Sequence, residues 1–316
     1  MKTALMIGGA GFVGAYLAEA IEQAGLARPV VTKLAGETLR IPCECHDLDI
    51  LDEDAVKTLL CAVKPDYIFH LAAQSSVSLS WKKPAMTADV NIRGTIHVLE
   101  AVRECCPQAR LLLIGSGEEY GVPMQAGVPL REDNPVRPEN CYAVTKVAQE
   151  LFGAVYTKAY GLDIVTVRAF NHIGPNQTAA FVTADFASRI AQIEAGLAEA
   201  RLTVGNLDAV RDFTDVRDIV RAYVRLAQAG KSGEIYNVGS GRGVAVRELL
   251  ETFLTMTVQN IEVVTDPEKL RALDVPFLVA DTEKITRDTG WTAEIPLAAT
   301  LRDTLDFWRR QYAAQP

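Results

Sequence analysis

The first fourteen residues constrain the fold more than any other part of the chain. Thr3 to Ile7 is a short apolar run that predicts a buried strand, and the glycine-rich loop from Gly8 to Gly14 leads from it into a helix. Gly8 permits a tight turn, Gly11 lets the backbone approach a pyrophosphate, and Gly14 lets the helix pack closely on the strand. The helix N-terminus then faces the anion. This unit predicts an α/β fold with a doubly wound, Rossmann-like parallel sheet that binds a dinucleotide.

Length and charge set the wider limits. The chain has 316 residues, 49% of them hydrophobic, which exceeds the size at which a single core usually divides, so we expect two lobes. Residues 1–170 with 211–240 are predicted to form the dinucleotide-binding domain, and residues 171–210 with 241–316 a smaller α/β substrate lobe. The formal charge of −8 argues against a nucleic-acid or membrane partner and favours a small-molecule substrate.

The cysteines and the N-terminus indicate a reduced, cytoplasmic protein. Six cysteines show no paired C-x-x-C spacing, and a chain of this length does not need disulfides. The segment from Cys43 to Asp47 contains metal-ligand types, but alternate residues of a strand face opposite ways and no second cluster follows, so we expect no metal. The small apolar residues up to Ala20 resemble a signal peptide, whereas the glycine loop assigns them to the fold.

The end of the second strand bears on the cofactor. An acidic residue commonly stands there in proteins that select NAD, but here Val30 to Thr32 is followed by Lys33, with Arg40 farther on. A 2′-phosphate would be accepted, so we slightly favour NADPH and leave NADH open. The carboxylates of Asp47 and Asp49 are expected to reach the adenine edge of the cofactor. The predicted cofactor-binding residues are Gly8, Gly11, Phe12, Val13, Lys33, Asp49, Ile50, Leu71, Ala72, Ala73, Tyr142 and Lys146.

A candidate acid/base pair lies in the middle of the chain. Tyr142 and Lys146 are four residues apart, so they share one face of a predicted helix. An unperturbed tyrosine has a pKa of about 10, and we expect the lysine cation to favour the phenolate. Ser116 ends the strand predicted from Arg110 to Gly115, where it can donate a hydrogen bond to a carbonyl oxygen that Tyr142 protonates. His70, inside another strand, is expected to be a core histidine.

Seven motifs in a fixed order extend this pattern over nearly the whole chain. They are GGAGFVG at Gly8, LAAQSSV at Leu71, VNIRGT at Val90, GSGEEYG at Gly115, YAVTK at Tyr142, RAFNHIGP at Arg168 and VRDFTDVRD at Val210. With them the chain resembles the extended short-chain dehydrogenase/reductases. Within that family it is most similar to the GDP-4-keto-6-deoxy-D-mannose reductases, sister enzymes of the GDP-mannose 4,6-dehydratases.

The resemblance implies an NAD(P)-dependent nucleotide-sugar oxidoreductase. Hydride would pass from the nicotinamide to C4 of a keto sugar, giving GDP-D-rhamnose, while Tyr142 protonates the oxygen, Ser116 polarises it, and Lys146 tunes Tyr142 and holds the ribose. Glu118 stands where the dehydratases carry their catalytic base, so the dehydratase remains an alternative, as does a C4 epimerase. Gly117 replaces the usual hydroxyl residue. Of the two glutamates, Glu119 is the likelier to be only a solvated loop charge. A non-enzymatic dinucleotide-sensing module typically lacks the tyrosine and lysine.

The resemblance also implies how the substrate and a second subunit are bound. Arg211 is the predicted diphosphate clamp, since its planar guanidinium binds phosphate oxygens in pairs, and Arg271 with Asp274 resembles a second clamp. The predicted substrate-binding residues are Ser75, Glu118, Asn171, Val182, Arg211, Arg271 and Asp274. A homodimer is implied through the helix ending at Tyr160 and the helix predicted from Thr87 to Cys106. The apolar stripe of the former, including Leu151 and Val155, is assigned to core packing.

Overall fold

The protein is described from a computed structural model that covers residues 1–39, 41–125, 127–267 and 275–313. The strands are β1 (Thr3–Ile7), β2 (Arg28–Lys33), β3 (Glu44–Asp47), β4 (Tyr67–His70), β5 (Arg110–Ser116), β6 (Ile164–Ala169), β7 (Asn171–Ile173), β8 (Arg201–Val204), β9 (Val210–Asp215), β10 (Ile235–Val238), β11 (Gly243–Ala245), β12 (Glu262–Thr265) and β13 (Phe277–Leu278). The α-helices are α1 (Phe12–Gln23), α2 (Glu53–Val63), α3 (Val77–Lys82), α4 (Pro84–Ala88), α5 (Gly94–Cys105), α6 (Cys141–Tyr160), α7 (Val182–Glu194), α8 (Val216–Ala229), α9 (Val246–Leu254), α10 (Glu283–Thr289) and α11 (Leu297–Ala313).

A seven-stranded parallel sheet forms the centre of the described chain, in the order β10-β6-β5-β4-β1-β2-β3. Helices α1 and α8 pack on one face, and α2, α5 and α6 pack on the other. The strand order reverses between β1 and β4, which is the place where open parallel sheets bind ligands beyond their carboxyl ends. The predicted doubly wound α/β fold is confirmed.

A smaller group of strands lies beyond this sheet. Strand β9 pairs with β11, β13 and β7, and β12 pairs with β8 in a separate two-stranded sheet. Helices α7, α9 and α11 pack with them around a third apolar core. Because β9 pairs within the smaller group, the chain returns to the central sheet through α8 and β10. The division into lobes at residues 170, 210 and 240 remains a prediction.

The helix predicted from Thr87 to Cys106 is interrupted. Helix α4 ends at Ala88, and a π-helical turn over Asp89–Arg93 joins it to α5. Buried Asn91 lies in this turn, where its Nδ2 donates to the carbonyl of Gln74 at 3.0 Å and its Oδ1 accepts from the Gln74 amide at 2.8 Å. The turn thus ties the segment after β4 to the helix, a contact that helical periodicity does not reveal.

The expectation that all six cysteines are reduced is wrong for one pair. Cys61 and Cys105 form a disulfide between α2 and α5, with their Cα atoms 4.7 Å apart. The two residues are separated by 44 positions, and only the packing of both helices on the same face of the sheet brings them together. The described free cysteines are Cys43, Cys45, Cys106 and Cys141.

The apolar stripe of α6 does not belong wholly to the core. Tyr156 is buried, but Leu151 and Val155 are 58% and 57% exposed, so the assignment of these two side chains to core packing is wrong. They lie on the outer face of the helix, while its inner face covers the central sheet. In the described residues, no helix is both long and apolar enough to cross a membrane.

Candidate active site

One cavity of about 920 Å³ runs from the carboxyl ends of the central strands into the smaller group of strands. Its volume lies at the upper end of the usual range for ligand pockets, which suits more than one bound molecule. Every predicted site residue that the structure describes contributes to its wall: Gly8, Gly11, Phe12, Val13, Lys33, Asp49, Ile50, Leu71, Ala72, Ala73, Ser75, Ser116, Glu118, Tyr142, Lys146, Asn171, Val182 and Arg211. Arg40, Arg271 and Asp274 lie outside the described residues.

The glycine loop is shaped for close approach to a ligand. Gly8 has a φ of +81°, and a Cβ there would lie 2.7 Å from the Cα of Ala72. A Cβ on Gly14 would lie 1.8 Å from the carbonyl oxygen of Gly9, so α1 could not pack against the loop. At Gly11 the nearest atom would be 3.7 Å away, which leaves the cavity side open. Gly11 also caps α1 without a side-chain hydrogen bond. These features fit a dinucleotide pyrophosphate.

The wall near the end of β2 carries charges of both signs. Lys33 forms an ion pair with Asp47, at the end of β3. Glu37 also lines the cavity, and its Oε2 accepts from the Leu34 amide at 2.9 Å. The sequence pattern missed Glu37 because an acidic residue was sought directly at the strand end. Lys33 is therefore placed to form an ion pair with a 2′-phosphate, and Glu37 is placed to accept hydrogen bonds from ribose hydroxyls.

Ser116, Tyr142 and Lys146 meet beside this wall, and all three are buried. Lys146 Nζ donates to the carbonyl of Ile114 at 2.6 Å and to Gln149 Oε1 at 3.1 Å. The same Nζ lies 6.0 Å from the centroid of the Tyr142 ring. Ser116 is the last residue of β5, and Tyr142 and Lys146 lie on the first turns of α6. The end of this strand and the start of this helix therefore bring the three side chains together.

The expectation that Lys146 lowers the pKa of Tyr142 is not met. Burial raises the pKa of Tyr142, and a hydrogen bond with Ser116 opposes this only in part. Burial lowers the pKa of Lys146 to about 8, with Glu119 acting in the opposite direction. Tyr142 is consequently a protonated phenol at neutral pH, which is the form that a general acid requires.

His70 behaves as the predicted core histidine. It is buried in β4, and its Nε2 is hydrogen-bonded to Thr95 Oγ1 at 3.1 Å. Burial lowers its pKa to about 3, so the ring is neutral at physiological pH. Among the residues that the structure describes, no group of three or more His, Cys, Asp or Glu side chains is placed to hold a metal ion.

The two glutamates after Ser116 have opposite environments. Glu118 is half-buried and lines the cavity, whereas Glu119 is fully buried. The interpretation of Glu119 as the likelier solvated loop charge of the two is therefore wrong. The turn over Gly117–Tyr120 directs Glu119 inward below the serine. The ring of Phe170 packs over Gly117, where a Cβ would lie 3.1 Å from three of its carbon atoms. The side chain of the usual hydroxyl residue at position 117 would therefore press against the ring of Phe170.

The far wall is formed by the smaller group of strands. Asn171 begins β7, Val182 begins α7, and Arg211 lies buried on β9 with its Nη1 donating to the Val210 carbonyl at 3.0 Å. Sequence reasoning missed Gln177 in the same wall. Its Nε2 donates to the His172 carbonyl at 2.9 Å, while its buried Oε1 has no hydrogen-bond partner in the described structure. In the sequence, the position of Gln177 just after the RAFNHIGP motif could have indicated that it lines the site.

Taken together, the parallel sheet, the glycine loop and the Ser116, Tyr142 and Lys146 group define an NAD(P)-dependent enzyme of the extended short-chain dehydrogenase/reductase class. The profile of the family described as GDP-mannose 4,6 dehydratase matches residues 5–304. The GDP-6-deoxy-D-mannose reductase of Pseudomonas aeruginosa is 36% identical over 263 residues, which cover 83% of this chain and 86% of that protein. The chain belongs to the GDP-mannose 4,6 dehydratase family.

Two solved structures share the whole architecture. The structure of RMD from Pseudomonas aeruginosa complexed with NADPH is 32% identical, has a TM-score of 0.87 and covers 98% of this chain and 100% of its own. The UDP-glucose 4-epimerase of Thermotoga maritima with UDP-glucose is 28% identical, has a TM-score of 0.89 and covers 98% of this chain and 99% of its own. The fold alone is thus shared by reductases and epimerases, and the choice between them depends on the site.

Proposed function

We propose that this protein reduces the C4 ketone of GDP-4-keto-6-deoxy-D-mannose to GDP-D-rhamnose (GDP-6-deoxy-D-mannose), using NADPH in preference to NADH. The observation that carries the proposal is the buried phenol of Tyr142, with its raised pKa, beside Ser116 and Lys146 in the cavity wall. A ketone reduction needs a proton donor at the oxygen. The similarity to the Pseudomonas aeruginosa reductase supports the choice of substrate.

The glycine loop and the start of α1 would hold the pyrophosphate of the cofactor, and Lys33 would meet a 2′-phosphate. Leu71, Ala72 and Ala73 would allow the cofactor to lie against the carboxyl end of β4. The reduced nicotinamide supplies a hydride when bound. A preorganised site of this kind places the reacting groups before the chemical step, so a small displacement of its parts is costly.

The chain's own residues supply the proton and the polarisation. Ser116 Oγ donates a hydrogen bond to the ketone oxygen, and Tyr142 Oη transfers its proton to the same oxygen as negative charge develops there. The resulting phenolate lies beside the Lys146 ammonium and regains a proton from solvent. A positioned general acid typically contributes about 100-fold to 10,000-fold in rate, and one hydrogen-bond donor to a developing oxyanion about 100-fold to 1,000-fold.

The nucleotide end of the substrate would occupy the far wall. Arg211 is proposed to bind the diphosphate, Asn171 the sugar or diphosphate, and Val182 the nucleoside through its backbone. Ser75 and Glu118 would contact sugar hydroxyls. Arg271 and Asp274 are retained as the proposed second clamp, for phosphate and ribose respectively.

We also propose a homodimer in the cytoplasm. The outward Leu151 and Val155 of α6 support the dimer, because large apolar side chains clustered on one exposed helix face commonly mark an interface. The disulfide of Cys61 and Cys105 weighs against the cytoplasmic part of this proposal, because glutathione keeps most cytosolic thiols reduced.

Glu118 and the family match favour a second candidate, the GDP-mannose 4,6-dehydratase. In that reaction Glu118 would remove a proton from the sugar as a general base, and the hydride would return within one turnover. The glycine at position 117 weighs against the dehydratase, because it has no hydroxyl to donate to the leaving group. The ring of Phe170 packs against this glycine where such a side chain would begin.

Nicotinamide absorbance separates the two candidates. The purified protein is incubated with NADPH or NADH and GDP-4-keto-6-deoxy-D-mannose, and a parallel sample receives GDP-mannose alone. We expect oxidation of the cofactor with the keto sugar, faster with NADPH, and no product from GDP-mannose. Formation of a keto sugar from GDP-mannose without net consumption of cofactor would assign the protein to the dehydratases.

A further inference from the structure

A buried carboxylate lies directly beneath the Ser116, Tyr142 and Lys146 group. Glu119 is 0% exposed, and its Oε1 accepts from the backbone N–H of Ser116 at 2.6 Å. In return, Ser116 Oγ accepts from the Glu118 amide at 3.2 Å, which closes the short turn after β5. A Cβ on Gly115 would lie 2.5 Å from Glu119 Oε1, so this glycine is needed to admit the carboxylate.

The second oxygen of Glu119 has no hydrogen bond among the described residues. It lies 3.7 Å from Arg168 Nε, but Arg168 donates its hydrogen bonds elsewhere. Its Nε and Nη2 donate to Glu150 at 2.9 Å and 2.7 Å, and its Nη1 donates to the backbone carbonyl of Glu132 at 3.2 Å. Glu119 therefore shares a cation that is already paired. A buried carboxylate in this condition is costly to ionise, and such groups are concentrated at functional sites.

Several elements place charged or titratable groups around Glu119. Strand β6 supplies Arg168, and α6 supplies Glu150, Lys146 and Tyr142. The turn itself supplies Glu118 and Tyr120. The centroid of the Tyr120 ring lies 4.6 Å from the guanidinium carbon of Arg168. Burial and the nearby Glu150 raise the pKa of Glu119 to about 8. Burial lowers the pKa of Lys146 to about the same value. Burial therefore shifts the pKa of Glu119 upward and that of Lys146 downward, in each case toward the neutral form of the side chain.

We propose that Glu119 is a positioning residue of the active site, which fixes the Ser116 backbone at the end of β5 and acts through its charge on Lys146 and Tyr142. The proposal rests on the function proposed above, since it assigns Glu119 to the same group. Glu119 does not line the cavity, so it works through its neighbours and not by contact with substrate.

The sign of the electrostatic effect follows from the charges. Ionised Glu119 favours the protonated forms of Lys146 and Tyr142, because a nearby negative charge raises the pKa of both. As the pH rises and Glu119 ionises, it delays the loss of those protons. A neutral residue in its place removes the delay, so the alkaline limb of the kcat profile moves to lower pH.

Two substitutions separate the charge from the hydrogen bond. Glu119→Gln keeps an oxygen that accepts from the Ser116 amide but has no charge, whereas Glu119→Met fills a similar volume and removes both. Glu132→Gln is the matched control, since this carboxylate also accepts a backbone N–H, from Asn237 at 2.8 Å, and its pKa is also raised by burial. Glu132 does not line the cavity.

The measurements are kcat and KM against pH with NADPH and the keto sugar, the Kd of NADPH against pH by fluorescence, and Tm. For Glu119→Gln we expect the alkaline limb to move down by about one pH unit with KM within about twofold of the parent, since a close charge shifts a pKa by this order. For Glu119→Met we expect kcat to fall about 100-fold, the cost of a small misplacement of Ser116. Glu132→Gln should leave the profile in place.

The proposal is overturned if Glu119→Gln gives the parent's profile over the whole pH range while Tm alone changes. A parent protein that turns over no keto sugar would refute the proposed reductase instead. In that case the pH dependence of NADPH binding decides the role of Glu119, because Lys146 lines the cavity: a shifted profile in Glu119→Gln supports the role, and an unchanged one refutes it.

Discussion

Asn140 links the start of the catalytic helix to Glu118. Its Nδ2 donates to Glu118 Oε2 at 3.1 Å, while its Oδ1 accepts from the Ala143 amide at 2.8 Å and so caps α6. A single side chain thereby sets both the position of the helix that carries Tyr142 and the direction of the carboxylate in the cavity wall. The two roles can be separated because each uses a different atom of the amide.

Asn140→Asp should keep the cap and disturb Glu118. Aspartate caps helices as well as asparagine does, so Tm should change little, but the new carboxylate cannot donate to Glu118 and repels it. We expect KM for the sugar nucleotide to rise several-fold if Glu118 contacts sugar hydroxyls. Asn140→Ala serves as the comparison, since it should cost about 1 kcal/mol in unfolding free energy through loss of the cap. An unchanged KM in Asn140→Asp would remove Glu118 from the substrate site.

Tyr142→Phe should abolish most turnover without affecting cofactor binding. The substitution removes the proposed proton donor from a buried site, so kcat should fall about 100-fold to 10,000-fold. The Kd of NADPH, measured by fluorescence, should stay within about threefold of the parent. Tyr236→Phe is the control, because it also deletes a phenolic hydroxyl, in this case one bonded to Asp288 at 3.1 Å outside the cavity wall. Retained activity in Tyr142→Phe would refute the proposed mechanism.

The cofactor preference should depend on two side chains of opposite charge. Lys33→Ala should weaken NADPH about tenfold and NADH much less, since only NADPH carries the 2′-phosphate that a lysine binds. Glu37→Gln should act in the other direction and improve NADPH relative to NADH, because it removes a negative charge from the same end of the cavity. The ratio of the two Kd values is the quantity to compare. Equal losses for both cofactors in Lys33→Ala would assign this lysine to the structural ion pair with Asp47.

Local signals in the sequence sufficed for much of the fold. The sequence predicts that Asp52 caps a helix running from Glu53 to Val63, and α2 has these bounds. In the structure Asp52 Oδ1 accepts from the Ala55 amide at 3.0 Å. The sequence likewise predicts a last helix from Leu297 to Ala313, and α11 has these bounds. Capping residues and apolar periodicity lie within a few residues of the feature they predict, so one sequence carries them.

What the sequence could not predict depends on distant contacts. The burial of Glu119 follows from its packing against Arg168 and Glu150, which belong to other elements. The raised pKa of Tyr142 follows from its burial by surrounding elements, whereas spacing on one helix suggested the opposite direction. The bond between Cys61 and Cys105 likewise requires that two helices share a face of the sheet. Periodicity gives the face of an element but not its neighbours.

The outer face of α6 gives a direct test of the dimer. Leu151 and Val155 are one turn apart and more than half exposed, and Val144 and Tyr160 of the same helix are 50% and 55% exposed. Because a charge is costly to bury in an apolar interface, Leu151→Glu should convert the protein to a monomer in light scattering coupled to size exclusion. Leu197→Glu is the matched control, since Leu197 is 59% exposed but lies beyond α7. If the parent protein is already a monomer, or if both variants keep the parent's mass, this face of α6 is not the interface.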